Sequence, residues 1–266
     1  MAILSKCFRA QEQPLLPVNA DMSPLNGQKL IFLPGLDGTG ISIEPLRKIL
    51  PSEVKVQTIR YPAKERLNID QTVQWAADQI TPKEEVVVLA ESFSGPVAVV
   101  LVASGRIRAK ALILCATFAR APRPRLLGLR RYLPIATLLK LPWPISILKY
   151  FVKGGRHSAE VLLGLWKQIK PVVPIEILLH RLEVIHQLDV RPWLKRVKVP
   201  CLYLQATGDH TVPAGALSDF TSAIPHLKVA RIDGPHFLLQ AQPRRSLAAI
   251  EDFLQHLTDS MPQEVS

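Results

Sequence analysis

The sequence has few cysteines, and they do not cluster. Cys7, Cys115 and Cys201 stand far apart and form no CxxC pair, which argues against both a disulfide framework and a zinc site. We therefore expect neither a metal nor a cofactor. A reducing cytoplasm is the simplest compartment for such a chain.

Long apolar runs are also missing. The most apolar window, residues 86–104, contains Glu91, Gly95 and Pro96, and its length only reaches the minimum for a membrane-spanning helix, about 18 residues. Residues 1–13 lack the apolar stretch of a signal peptide. We expect no transmembrane segment and no secretion, while a transit peptide remains open.

The sequence does contain enough apolar material for a folded core. Of its 266 residues, 48% are hydrophobic, which excludes a disordered or fibrous protein. Aromatic residues make up only 6% and no recognition motif stands out, so nucleic-acid binding is not expected. The net charge of +11 instead favours an anionic partner or membrane headgroups.

Short apolar runs alternate with helical patterns over most of the chain. Several runs show no polar alternation, which is typical of strands buried on both faces of a parallel sheet. The predicted strands are 30–33, 54–59, 86–90, 111–115, 201–206 and 228–232. The predicted helices between them are 42–50, 70–80, 95–103, 214–224 and 245–257. This alternation predicts an α/β fold with a mostly parallel, doubly wound sheet.

The alternation breaks once, between residues 118 and 189. This stretch is proline-rich and helical in pattern, with no clear strand, so we predict a helical cap or lid inserted into the α/β core. The expected organisation is an N-terminal extension (1–28), partly disordered because of its turn-prone composition, a core (29–117 and 190–258), the cap (118–189) and a C-terminal tail (259–266).

The predicted cap carries most of the excess positive charge. Its segment 120–156 holds nine basic and no acidic residues, interleaved with apolar stretches. A lid that contacts acyl chains and an anionic partner, either an acidic carrier protein or a lipid surface, would have this composition. A cap packed on the core with solvated basic side chains explains it equally well. The nine are Arg120, Arg123, Arg125, Arg130, Arg131, Lys140, Lys149, Lys153 and Arg156.

One strand followed directly by a helix has the pattern of a nucleophile elbow. The strand ends at Ala90, the helix begins near Gly95, and Ser92 occupies the turn between them. The positions two before and two after such a nucleophile must be small, and here they are Ala90 and Ser94. Ser94 is the alternative nucleophile, but it would fall within the helix and place Pro96 at the tight position. We predict Ser92.

A serine nucleophile needs a general base, and the base needs an acid that orients it. Asp209 lies in the turn after the predicted strand 201–206, and His236 lies in the turn after the predicted strand 228–232. The order Ser, acid, His along the chain is one of the known arrangements of a catalytic triad. Because parallel strands bring such loops to one edge of the sheet, we predict a triad of Ser92, His236 and Asp209.

Four further histidine and aspartate residues fit this triad less well. His210 neighbours the predicted acid and His226 precedes a strand, and both positions are unfavourable for contact with the serine. We expect Asp233 to brace the loop of the predicted base and Asp189 to be a structural residue of a turn.

A glycine-rich turn, LPGLDGTG at residues 33–40, follows the first predicted strand. Backbone N–H groups at such a turn can bind the oxyanion of an acyl-transfer intermediate, and we predict Leu36 and Phe93 as the two donors. The spacing GxxGxG, with no Lys-Ser or Lys-Thr after it, argues against a nucleotide-binding loop. A plain turn between strand and helix is the alternative.

These motifs together resemble the α/β-hydrolase superfamily over roughly residues 29–257. The matching segments are AESFSG around Ser92, GDHTVP around Asp209, GPHFLLQ around His236, and LPGLDGTG. LPGLDGTG with ESFSG is similar to bacterial serine esterases and to the hydrolase-like part of plant phytyl ester synthases, and the insertion resembles the cap of carboxylesterases. One departure is Pro34, which replaces the His that usually precedes the first glycine of the turn.

The triad and the resemblance imply a serine hydrolase that cleaves carboxyl esters through an acyl-enzyme. Small-molecule esters with short-to-medium acyl chains are the expected substrates. An acyltransferase with the same triad and an esterase acting on carrier-bound acyl groups are the alternatives. A non-catalytic ligand-binding protein of this fold would be expected to have lost a triad residue.

Overall fold

The computed structural model describes residues 23–81, 84–129 and 155–259. In this part of the chain six strands form one sheet in the order β2-β1-β3-β4-β5-β6, and every neighbouring pair is parallel. All six lie where the sequence predicts them, so the parallel α/β sheet is confirmed. The strands are β1 (Lys29–Leu33), β2 (Lys55–Thr58), β3 (Glu85–Glu91), β4 (Arg108–Cys115), β5 (Cys201–Ala206) and β6 (Leu227–Ile232).

Helices follow the strands as crossovers. The predicted helices 42–50 and 214–224 each begin as a short 3-10 turn, at Ile41–Ile43 and Ala214–Ala216, before the α-helix starts. Their α-helical parts are therefore shorter than predicted. The α-helices are α1 (Glu44–Arg47), α2 (Ile69–Asp78), α3 (Ser94–Ala103), α4 (Pro124–Leu129), α5 (Gly155–Ile169), α6 (Ile175–Gln187), α7 (Arg191–Leu194), α8 (Leu217–Thr221), α9 (Leu238–Ala241) and α10 (Pro243–Asp259).

Two hydrophobic clusters lie on opposite faces of the sheet. Along β1, Ile31 and Leu33 belong to one cluster, while Leu30 and Phe32 belong to the other. Successive side chains of a strand point to opposite faces, so β1 is buried on both sides. This double burial is the physical reason why the predicted strands show no polar alternation. Cys115, at the end of β4, and Cys201, at the start of β5, are buried free thiols, and burial raises the pKa of both thiols.

Between β4 and β5 the described chain is helical. Helices α5 and α6 form a small hydrophobic cluster of their own, and Leu36 from the turn after β1 packs against it. The predicted cap spans this region, but its residues 130–154 lie outside the described part of the chain. The helices therefore come close to the carboxyl edge of the sheet, where the loops after the strands meet.

The two ends of the chain are described only in part. Residues 23–28 of the predicted N-terminal extension are packed on the core, since Leu25 is buried and Ser23 Oγ donates to Glu251 Oε1 at 2.6 Å. Most of the predicted N-terminal extension, residues 1–22, lies outside the described residues, and so do residues 260–266 of the predicted tail. The expected partial disorder of the extension stays a prediction. Among the residues that are described, no helix is both long and apolar enough to cross a bilayer.

Candidate active site

Ser92 occupies a sharp turn between β3 and α3. Its φ of 50° lies in the left-handed region, which costs a residue with a Cβ about 1–3 kcal/mol unless the surroundings hold it. The loop after β4 does so: the Ser92 N–H donates to Cys115 O at 2.9 Å, and Thr117 Oγ1 donates to Ser92 O at 2.5 Å. Both contacts present the serine hydroxyl at the carboxyl end of the sheet.

The turn depends on the absence of a side chain at Gly95. A Cβ there would lie 2.6 Å from the Cβ of Thr117 and closer still to its Oγ1. The sequence predicts the tight positions to be Ala90 and Ser94, and both are fully buried. It does not reveal the contact between Gly95 and Thr117, because the two residues meet only when β3 and β4 pair.

The structure brings the three predicted triad residues together. Ser92 Oγ lies 2.8 Å from His236 Nε2, and His236 Nδ1 lies 2.7 Å from Asp209 Oδ2. The second carboxylate oxygen of Asp209 accepts hydrogen bonds from the N–H groups of Thr211 and Val212, at 2.7 and 2.8 Å. The Asp209 side chain is 6% exposed and the His236 side chain 21% exposed. The acid is therefore shielded from water, while the imidazole faces the cavity.

Two loops position the acid and the imidazole. Asp209 follows β5, and His236 lies between β6 and α9. Gly208 N–H donates to Gly234 O at 3.0 Å, and Thr207 Oγ1 donates to Asp233 Oδ1 at 2.8 Å. Asp233 thus ties one loop to the other, as expected of a bracing residue.

Ser94, the alternative nucleophile, has hydrogen-bond partners other than the imidazole. Its hydroxyl is fully buried and donates to the carbonyl oxygen of Pro34, while it accepts from the Tyr61 hydroxyl at 2.6 Å. Burial raises the pKa of Tyr61, so this phenol remains a neutral donor. Ser94 therefore holds the start of the glycine-rich turn.

His226, Asp189 and His210 are not part of the hydrogen-bonded series of Ser92, His236 and Asp209. His226 Nε2 donates to Val199 O at 2.8 Å, a carbonyl just before β5. Asp189 forms a salt bridge of 2.6 Å with Arg191, in a turn. His210 is exposed and lines the cavity that contains Ser92.

The glycine-rich turn lies directly beside the serine. Gly38 N–H donates to Gly35 O at 3.0 Å, which closes a β-turn over residues 35–38. A methyl group placed on Gly35 would lie 3.9 Å from Ser92 Cβ. Within the described part of the chain, the N–H groups of Leu36 and Phe93 donate to no acceptor. Two backbone donors thus remain available next to Ser92.

A buried arginine supports the same turn, and no sequence motif marks it. Arg181 on α6 is 5% exposed and donates to the carbonyl oxygens of Leu36, Asp37 and Pro62 at 2.9, 2.6 and 3.1 Å. Burial lowers its pKa, and the nearby Tyr61 and Asp37 oppose that shift. A weaker sequence signal does exist, since Arg181 occupies a position of apolar helical spacing within α6.

A cavity of about 500 Å³ contains Ser92 and His236. Its wall is mostly apolar and comes largely from α5 and α6, and its polar rim includes Arg123 and His210. A larger groove of about 620 Å³ lies against β6 and α10, and its lining includes none of Ser92, Asp209 and His236. The apolar wall consists of Leu36, Phe118, Leu162, Leu165, Trp166, Ile169, Leu178, Leu182, Ile185 and Phe237.

Glu91, the residue before the serine, forms a polar patch on the cavity wall. Its carboxyl accepts from Ser42 Oγ at 2.8 Å and from Gln240 Nε2 at 3.0 Å. The side chain is buried, and burial raises the pKa of Glu91 in spite of these hydrogen bonds, which act to lower it. A carboxyl with a raised pKa retains its proton more readily, which limits the negative charge beside the nucleophile.

Part of the basic segment 120–156 is described. Arg120 forms a salt bridge with Asp219 at 3.0 Å, and Arg156 forms one with Glu160 at 2.8 Å. Arg123 donates through Nε to Thr211 O at 3.2 Å. Five of the nine basic residues lie outside the described residues, namely Arg130, Arg131, Lys140, Lys149 and Lys153. Docking of an acidic carrier or a lipid surface on this segment stays a prediction.

Comparison with known proteins gives a family match over most of the chain. A family model described as alpha/beta hydrolase fold matches residues 31–240. This range extends from β1 to α9 and contains Ser92, Asp209 and His236. The match thus includes the sheet and all three residues that the structure brings together.

Individual relatives are distant. The chain is similar to the chloroplastic phytyl ester synthase 1 of Arabidopsis thaliana, with 26% identity over 175 residues, which are 62% of this chain and 24% of that protein. The chain therefore corresponds to about a quarter of that relative.

Solved structures share the same fold. The enol-lactonase of Burkholderia xenovorans is 19% identical, with a TM-score of 0.67 over 86% of this chain and 92% of its own. The bromoperoxidase of Bacillus anthracis is 18% identical, with a TM-score of 0.68 over 86% and 92%. At such identities the likeness establishes the fold and leaves the substrate open.

Proposed function

The chain belongs to the α/β-hydrolase family, and from this premise we propose that it is a serine hydrolase of carboxyl esters. The observation that carries the proposal is the continuous hydrogen-bonded series from Ser92 Oγ through the His236 imidazole to Asp209, with distances of 2.8 and 2.7 Å. A hydroxyl, an imidazole and a shielded carboxylate in this order are the parts of a serine hydrolase triad.

In the proposed reaction, His236 Nε2 removes the proton of Ser92 Oγ as that oxygen attacks the ester carbonyl. Asp209 holds the proton on Nδ1, so that Nε2 is the basic nitrogen, and it stabilises the imidazolium that forms. His236 then gives its proton to the leaving alkoxide, which departs as the alcohol. Water, deprotonated by the same imidazole, attacks the acyl carbonyl; the bond to Ser92 Oγ breaks, His236 returns the proton to that oxygen, and the carboxylic acid leaves.

The tetrahedral intermediate carries a negative oxygen that needs donors. The N–H groups of Leu36 and Phe93 flank Ser92 and donate to no acceptor within the described residues, which supports them as the oxyanion hole. The Phe93 side chain is buried, and its ring lies edge-on to the Tyr61 ring, with 6.0 Å between the two ring centroids. Fixed backbone donors of this kind are typically worth about 100- to 1000-fold each in turnover.

The cavity supports a preference for short-to-medium acyl chains. Its apolar wall and its volume of about 500 Å³ suit a short-to-medium aliphatic chain better than a polar substrate, because burial of each methylene group contributes about 0.8 kcal/mol. Helices α5 and α6 supply most of this wall, so we propose that the region between β4 and β5 acts as the cap over the acyl site.

Acyl transfer is the second candidate. The name of the Arabidopsis relative describes ester synthesis, and an alcohol can replace water in resolving an acyl-serine without any change in the triad. The two reactions differ only in the acceptor. Products formed from a p-nitrophenyl ester in water, with and without an added long-chain alcohol, distinguish them.

The test of the proposal is hydrolysis of p-nitrophenyl esters of graded chain length by the wild type and Ser92→Ala. We expect turnover by the wild type and a loss of at least about 1000-fold in kcat for the variant. Retention of wild-type rates by Ser92→Ala, or no turnover of any ester by the wild type, would contradict the proposal.

A further inference from the structure

Arg181 is a buried cation whose described partners are backbone carbonyls. It forms no salt bridge with a carboxylate among the described residues; its guanidinium donates to three carbonyl oxygens at 2.6 to 3.1 Å. A buried charge without hydrogen bonds is costly. A change in the position of these carbonyl oxygens would therefore leave the guanidinium without acceptors. Two of the three carbonyls belong to Leu36 and Asp37, in the turn beside Ser92.

These contacts fix consecutive peptide groups of the turn. The Gly35 carbonyl accepts from Gly38 N–H at 3.0 Å, which orients the peptide that carries the Leu36 N–H. The next two carbonyls, of Leu36 and Asp37, are the ones that Arg181 binds. Rotation of either peptide would break a charge-assisted hydrogen bond, and such bonds are stronger than neutral ones. The direction of the Leu36 N–H is therefore tied to Arg181.

The guanidinium also fills the space behind the turn. Gly38 has a φ of 70°, and a Cβ added to it would lie 2.7 Å from Nη1 of Arg181 and 2.9 Å from Cβ of Tyr61. The guanidinium carbon lies 5.7 Å from the centre of the Tyr61 ring, and Tyr61 N–H donates to Gly38 O at 2.9 Å. The turn is thus enclosed between the guanidinium and the tyrosine.

We propose that Arg181 is a positioning residue that holds the Leu36 N–H in the orientation that binds the oxyanion. The inference rests on the proposed function, because it takes Leu36 as an oxyanion donor. It also accounts for Pro34, whose ring offers the turn no polar support. The turn is held instead at one end by the hydroxyl of Ser94 and at the other by an arginine 145 residues further along the chain.

The position of Arg181 links the turn to the acyl cavity. Its helix, α6, also places Leu178, Leu182 and Ile185 in the cavity wall. One helix therefore lines the proposed acyl site through its apolar side chains and contacts the glycine-rich turn through its arginine.

His180, the preceding residue on α6, provides a matched control. Its Nε2 donates to Leu67 O at 3.1 Å, so it also ties α6 to a backbone carbonyl of the core, but away from the turn. His180→Phe should lower stability by a similar route and leave kcat within about twofold of the wild type. A merely structural role of Arg181 would make the two positions behave alike.

The experiment compares Arg181→Met, Arg181→Lys and His180→Phe in the full chain with p-nitrophenyl butyrate. We expect Arg181→Met to lose about 10- to 100-fold in kcat, with KM changed less than about threefold. The donor binds an oxyanion that develops in the transition state, so its misplacement affects kcat more than KM. Arg181→Lys should recover part of the loss, because an ammonium can bind one carbonyl but cannot span both. If Arg181→Met does not fold, the Lys variant carries the comparison.

Two further measurements separate positioning from general damage. An alkyl trifluoromethyl ketone forms a tetrahedral adduct with the serine, and its affinity for Arg181→Lys should fall by the same factor as kcat/KM. Amide hydrogen exchange of Gly38, whose N–H donates to Gly35 O, should accelerate in Arg181→Lys and not in His180→Phe when measured on the free protein. The exchange measurement needs no catalysis, so it tests the inference even if the wild type proves inactive on esters.

The inference is overturned if both Arg181 variants keep kcat within about twofold of the wild type. It is also overturned if they lose no more activity than His180→Phe, or if exchange of the Gly38 amide is unchanged. Failure of the proposed function has a different signature, namely ester hydrolysis that survives in Ser92→Ala or is missing from the wild type.

Discussion

Gly95 lies so close to Thr117 that a single methyl group on it would overlap the threonine side chain, with a Cβ–Cβ distance of 2.6 Å. The same Thr117 donates through Oγ1 to the carbonyl of Ser92 at 2.5 Å. The second residue of α3 and the loop after β4 therefore jointly set the backbone of Ser92.

Gly95→Ala should consequently reduce both stability and activity. The added Cβ must displace Thr117 and break its bond to Ser92, so we expect a loss of about 1–3 kcal/mol in the free energy of unfolding. A displacement of the nucleophile should lower kcat by about 10-fold or more. Urea unfolding and ester kinetics on the same preparation measure the two effects.

Gly164→Ala is the matched control for this substitution. Gly164 lies within α5, and a Cβ there would contact nothing within 4 Å. Because alanine is the better helix former, the free energy of unfolding should rise by about 0.5–1 kcal/mol with kcat unchanged. Equal effects of the two substitutions would show that the contact with Thr117 does not constrain the turn.

Ser94→Ala should have the opposite signature from Ser92→Ala. Removal of the Ser94 hydroxyl leaves the Tyr61 hydroxyl and the Pro34 carbonyl without their partner, and unsatisfied buried groups cost about 1–3 kcal/mol. We therefore expect Ser94→Ala to lose stability and to keep kcat within about tenfold. Thermal unfolding and ester hydrolysis of both variants check this, and an inactive Ser94→Ala of unchanged stability would reverse the assignment of the two serines.

Glu91 should make the stability of the protein depend on pH. Burial raises its pKa in the folded state above the ordinary value of 4.5, so the native protein retains a proton that the unfolded chain releases. The free energy of unfolding must then decrease as the pH rises from that value through the folded pKa. Glu91→Gln cannot ionise and should remove this part of the decrease.

Urea unfolding between pH 4.5 and 8 tests the prediction for Glu91. Glu85→Gln serves as the control, because Glu85 begins the same strand and is exposed; its profile should follow the wild type. Parallel profiles for wild type and Glu91→Gln would show that Glu91 has the same pKa in the folded and unfolded states.

A larger side chain on α6, where the helix lines the cavity, should change the specificity for acyl-chain length. Leu182 lines the cavity, so Leu182→Trp should fill the space that we propose for a medium acyl chain. We expect kcat/KM for p-nitrophenyl octanoate to fall by about 10-fold or more, while that for the acetate changes little. Val172→Trp is the control, since Val172 is 51% exposed. An equal fall for both esters would mean that the chain does not bind along α6.

The sheet was predictable from the sequence because its strands are buried on both faces and therefore appear as unbroken apolar runs. The association of Ser92, Asp209 and His236 was predictable because parallel strands place the loops after them at one edge. The contacts of Arg181 with Leu36 and of Gly95 with Thr117 were not. Each contact joins residues that only tertiary packing brings together, and the sequence around Arg181 or Gly95 does not indicate the partner residue.

Helix boundaries were less predictable for a local reason. The pattern over 42–50 predicts one helix, but Pro45 lacks an N–H, and the chain enters α1 through a 3-10 turn at Ile41–Ile43. Such differences leave Ser92, Asp209 and His236 in place, because these three residues lie on the loops that follow strands.

The central claim is that Ser92 is a nucleophile activated by His236, and reaction with an alkyl fluorophosphonate tests it most directly. The labelled peptide should be fragmented far enough to distinguish Ser92 from Ser94. We predict one adduct, on Ser92, retained in Ser94→Ala, lost in Ser92→Ala and formed at least about 1000-fold more slowly in His236→Gln. An adduct on any other residue, or labelling of His236→Gln at the wild-type rate, would contradict the claim.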